Sequence, residues 1–111
     1  MADAQAEGID LYIQHLQAQA SGDAVAARRL LQAAADLGEP MALHAAAFHQ
    51  TDSQAAVALY TAAADAGFAA SAWNLYLHYG DVGDGEAAMR WLRRAAELGD
   101  DDAVALVDAR P

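Results

Sequence analysis

The chain has 111 residues, 32 of them alanine, and a net charge of −10 from sixteen carboxylates against six arginines, with no cysteine. That length allows a single hydrophobic core, and the lack of cysteine excludes disulfides, thiolate nucleophiles and cysteine-built zinc sites. The negative charge opposes binding of the whole surface to nucleic acid or anionic membrane and favours a basic partner. No stretch approaches the ~18 apolar residues of a membrane span. The opening MADAQAEGID lacks the basic and apolar blocks of a secretory signal, so a soluble, cytoplasmic chain is the expectation.

In chain order, the first predicted element is a helix over 4–20, within a front cap over 4–22. Its Leu11, Tyr12 and Leu16 offer an apolar face to the helices after it. Its stretch DLYIQHL (10–16) is similar to NLYLHYG (74–80), as if it were the second helix of a worn copy. Helices are then expected near 23–37, 40–50, 53–66, 69–79, 84–98 and 101–109, seven in all. They come from a repeat aligned on Gly38, Gly67 and Gly99, spaced 29 and 32 residues apart. Before each glycine stand an alanine pair (Ala26-Ala27, Ala55-Ala56, Ala87-Ala88), a large pair (Leu30-Leu31, Leu59-Tyr60, Trp91-Leu92) and a small pair (Ala34-Ala35, Ala63-Ala64, Ala95-Ala96).

Pairs recurring every four residues make one helical stripe, and the glycine after it supplies a left-handed closing turn. A second helix follows each glycine. Pro40 fits its first position, and Asp100, Asp101 and Asp102 suit a positive helix end. Asp52 or Ser53 starts the helix at 53, and YGDVGDGE (79–86) is a turn. The chain thus reads as one domain, 1–111, with helix-pair units at 23–50, 53–79 and 84–109.

The motif A-x-x-[LW]-[LY]-x-x-A-A-[DE]-x-G resembles that of the Sel-one-like repeats, relatives of the tetratricopeptide repeats, and all three copies match it. The small residues four past each glycine, Ala42, Ser71 and Ala103, match as well, as do Leu75 and Val107 at eight past, with Ala46 a weaker match. The resemblance implies an all-α, right-handed α–α solenoid of about three helix-turn-helix repeats, acting as a scaffold or adaptor for a protein or peptide.

In related repeats, the positions ten, nine, six and five before the glycine line a concave groove. Here they are Arg28, Arg29, Gln32 and Ala33, then Val57, Ala58, Thr61 and Ala62, then Met89, Arg90, Arg93 and Arg94. Five of the six arginines fall in this set. The partner-binding candidates are Arg29, Val57, Ala58, Thr61, Met89, Arg90 and Arg93. Val57, Ala58 and Met89 form an apolar floor, and Arg29, Arg90 and Arg93 hold carboxylates of a peptide, because guanidinium binds carboxylate in a two-pronged geometry. The plainer alternative is helix-surface pairing of Arg90 with Glu86 and of Arg93 with Glu97.

The remaining polar groups give less. His15, His44, His49 and His78 lack the i, i+4 spacing of a helical metal site and read as solvated helix-end residues. GDVGDGE misses the ligand order of a calcium loop. Trp73, Tyr76 and Tyr79, with Trp91, read as packing between repeats. Ser21, Ser53 and Ser71 sit in no nucleophile elbow. No catalytic residue, metal site or cofactor is expected. Two rival readings are a small acidic inhibitor or immunity-type protein acting through Asp100–Asp102 and the Asp81–Glu86 loop, and a homo-oligomer formed through the last helix.

Overall fold

The structure, a computed structural model, describes residues 3–109. Those residues form seven α-helices and no strand: α1 (Ala4–Ala20), α2 (Ala24–Asp36), α3 (Pro40–Phe48), α4 (Ser53–Asp65), α5 (Ala69–Asp81), α6 (Gly85–Glu97) and α7 (Asp101–Asp108). Each expected helix is present, with its ends within two residues of the expectation.

Local chemistry explains the boundaries. Six helices open on a carboxylate that accepts a hydrogen bond from a backbone N–H of the first turn. The six are Asp3, Asp23, Glu39, Asp52, Asp84 and Asp100, and each such cap contributes about 1 kcal/mol. Much of the acidity is therefore structural. The exception is α5, whose cap position holds Phe68 without a side-chain bond.

At their far ends, α2, α4 and α6 close through Gly38, Gly67 and Gly99, with φ of +80°, +98° and +93°. Each glycine N–H and the N–H after it donate back to the small pair. Gly38 reaches Ala35 at 2.9 Å and Glu39 reaches Ala34 at 3.2 Å; Gly67 and Phe68 reach Ala64 and Ala63, and Gly99 and Asp100 reach Ala96 and Ala95. This is the double backbone closure of a Schellman turn. The repeated small pair and glycine are thus one device, in which the alanines pack and their carbonyls hold the turn.

Every extensive helix–helix packing among the described residues joins chain neighbours. It is deeper across the joints α1–α2, α3–α4 and α5–α6 than inside the glycine-linked pairs α2–α3, α4–α5 and α6–α7. The stack measures 48 × 30 × 24 Å.

The core is divided in two. Leu31, Ala34, Ala35, Ala42, Leu43, Ala46 and Ala63 form one cluster; Ala64, Ala72, Leu75, Leu92, Ala95 and Ala103 form the other. Helix α4 belongs to both, since its consecutive Ala63 and Ala64, each fully buried, join different clusters. The residues four past the glycines, Ala42, Ser71 and Ala103, are all fully buried. At the front, Leu11 and Tyr12 pack on the first cluster. Leu16 does not; it is exposed with Ile9 and Ile13 on the outer face of α1.

Candidate partner-binding surface

The stripes of α2, α4 and α6 are buried or half-buried, which leaves their other faces to carry the candidate residues. Arg29 on α2, Ala58 on α4, and Arg90 and Arg93 on α6 are exposed, while Val57, Thr61 and Met89 are half-buried. Val57 and Met89 pack against the second core cluster, so each is shared between core and surface. The Thr61 hydroxyl donates to the Val57 carbonyl of the preceding turn at 2.7 Å and is engaged locally. Arg29 lies with Arg28 beside a shallow depression along α2 that Val25, Ala33 and Asp36 also line. Arg90 and Arg93 stand in the other half of the stack, on α6.

The surface pairing differs from the expected one. Among the described residues the one ion pair joins Arg94 to Glu97 at 3.4 Å, one turn apart on the exposed side of α6. Arg94 stands three residues before Glu97 and captures the carboxylate that sequence spacing assigns to Arg93. Neither Arg90–Glu86 nor Arg93–Glu97 forms. Four arginines of a strongly acidic chain, Arg28, Arg29, Arg90 and Arg93, thus stand exposed without an ion pair among the described residues.

Two of the four histidines are not the solvated helix-end residues expected from spacing, because each bonds across to another helix. His15 is 4% exposed, and its Nδ1 bonds the Ala27 carbonyl across the α1–α2 joint at 2.6 Å. His44 is half-buried and shares a 2.7 Å hydrogen bond with the hydroxyl of buried Ser71. Its ring lies against Tyr60 and Phe68, with centroids 5.2 and 5.0 Å away. Ser71 is the one hydroxyl among the three small residues after the glycines, and that hydroxyl was the available signal that His44 has a partner. His49 caps α3 at the exposed surface, and His78 stacks edge-on against Tyr79. Among the described residues no group of three or more His, Asp or Glu gathers as metal ligands would.

Burial lowers the proton affinity of His44 below the ordinary histidine value of 6.5, because the imidazolium loses solvation there. Below pH 6.5 the unfolded chain then binds more protons at this residue than the folded chain does. Its contribution is complete above pH 6.5 and is lost as pH falls from there through the folded value. Urea unfolding of wild type and His44→Gln across pH 7.5 to 5 is expected to show a stability difference in favour of wild type that shrinks on acidification. A difference that is constant across the range contradicts this.

The aromatic residues Trp73, Tyr76, Tyr79 and Trp91 all pack against the second core cluster, as expected. Asp81, Asp84, Glu86, Asp101 and Asp102 are exposed, although Asp84 also caps α6. On α7, Val107 packs on the second cluster while Val104 and Leu106 remain exposed. No described helix is long and apolar enough to cross a membrane. The chain matches no family model, no curated protein and no solved structure.

Proposed function

We propose that the chain is a non-catalytic binding module of the Sel-one-like type. In this reading its right-handed solenoid of three helix pairs holds a protein or peptide on the faces of α2, α4 and α6. The observation that carries the reading is the set of exposed arginines without ion pairs, in a chain that has carboxylates to spare. These guanidinium groups hold a two-pronged donor open to an incoming carboxylate. Val57 and Met89, half-buried on α4 and α6, offer modest apolar contact. The double substitution Arg90→Glu, Arg93→Glu is expected to abolish capture of the partner while far-ultraviolet dichroism stays helical. Unchanged capture overturns the reading.

A second reading rests on a different observation. Asp81, Glu86, Asp101 and Asp102 are exposed, and none is in an ion pair among the described residues. A small acidic inhibitor would use that surface against a basic partner, and its binding would weaken steeply with salt.

A further inference from the structure

We propose that the groove framed by α1, the first half of α2 and the end of α3 is a binding site for an aliphatic carboxylate. The groove has a volume of about 760 Å³, within the range of small-ligand sites. Its floor is apolar, made by the buried Ala27, Leu31 and Ala46. Its rim carries Arg28 and His49, both exposed, with the Gln19 carboxamide. None of the lining side chains is a carboxylate, in a chain of net charge −10.

The second observation is His15, more than nine-tenths buried and part of the lining. A carbonyl can only accept, so the Nδ1 that meets the Ala27 carbonyl carries a hydrogen. Nε2 makes no hydrogen bond among the described residues, yet no buried side-chain nitrogen or oxygen there lacks a partner. Nε2 therefore keeps a small exposure, and His15 lines the groove. Packing alone does not call for an imidazole here. In the similar stretch of α5 the matching position is Tyr79, whose ring packs against the second core cluster. One nitrogen of His15 ties α1 to α2, and the other has no hydrogen-bond partner in a residue that lines an apolar groove with a guanidinium at its rim.

A ligand that satisfies all of these groups has a short hydrocarbon body on Leu31 and Ala46 and a carboxylate on Arg28. His15 Nε2 meets that carboxylate through a bridging water that donates to both. The same chemistry comes from a free acid or from an acidic side chain next to an aliphatic one in a peptide. The site uses none of Arg29, Arg90 and Arg93, although Arg28 and Gln32 also line the depression beside Arg29; its test reads a small ligand and does not depend on a partner at the other arginines.

The test is nuclear magnetic resonance titration of the isotope-labelled full chain with hexanoate, with acetyl-leucyl-glutamate amide, and with hexan-1-ol as the uncharged control. Saturable shifts at Arg28, Leu31 and His15 are expected with an acid and not with the alcohol. Saturation by hexanoate alone identifies a free acid as the ligand type, and tighter saturation by the dipeptide identifies a peptide-borne one. Arg28→Gln, at an exposed position, is expected to weaken binding about tenfold, the usual worth of a charge-assisted bond. In His15→Asn the carboxamide replaces the Nδ1 donor to Ala27 and removes Nε2, so binding weakens while helicity is kept. Three results overturn the proposal: no saturation with either acid, equal shifts with hexan-1-ol, or wild-type affinity in Arg28→Gln.

Discussion

Leu75→Ala is expected to lower the free energy of unfolding by about 2–5 kcal/mol, the cost of a large buried side chain replaced by a cavity. Leu75 and Leu92 are the two largest fully buried side chains among the described residues, and both lie in the second cluster among Ala64, Ala72, Ala95 and Ala103. Alanines have no rotamers with which to refill a cavity, so relaxation has to come from helix movement. A single domain has about 5–15 kcal/mol in total, and the loss is a large share of it. The shift of the urea midpoint at constant slope measures it. A loss under about 1 kcal/mol would mean that the second cluster is not the closely packed core described.

Ala63→Leu and Ala64→Leu are the second pair of strong effects. Both positions are fully buried, and a leucine there adds volume to a packed interface at a cost of about 1–3 kcal/mol. The two differ in where the damage falls. Ala63 faces the cluster built with α2 and α3, and Ala64 the cluster built with α5, α6 and α7. Amide hydrogen exchange is expected to show lost protection mainly in α1–α3 for Ala63→Leu and mainly in α5–α7 for Ala64→Leu. Equal loss in all helices for both variants contradicts a core divided at α4.

The parts of this fold that were legible in the sequence are those written within one helix and its turn. The stripe of pairs every four residues, the small pair and the glycine lie within thirteen residues of one another, and they define α2, α4 and α6 and their closing turns at Gly38, Gly67 and Gly99. Asp52 and Pro40 marked helix starts for equally local reasons. The features that escaped depend on how helices cross. Gly8 gave no signal, yet a Cβ there would stand 3.1 Å from the Cβ of Glu39; the close approach of α1 to the α2–α3 turn is its reason.

The bonds of His15 to Ala27 and of His44 to Ser71 join separate helices, and sequence spacing does not carry that register. The arginine surface was legible as a set of positions. Its ion pairing was not, because Arg93 and Arg94 compete for Glu97 and side-chain direction decides between them.

Whether the exposed arginines on the stack hold a partner is open to one direct measurement. Immobilised wild type, the Arg90→Glu, Arg93→Glu variant and an Asp101→Asn, Asp102→Asn variant are compared for capture of proteins from a lysate at low and at high salt. The expected result is a partner that stays on wild type at high salt, is absent from the arginine variant and is kept by the aspartate variant. A basic protein released by salt, lost from the aspartate variant and indifferent to Arg90 and Arg93 would contradict an arginine-held partner.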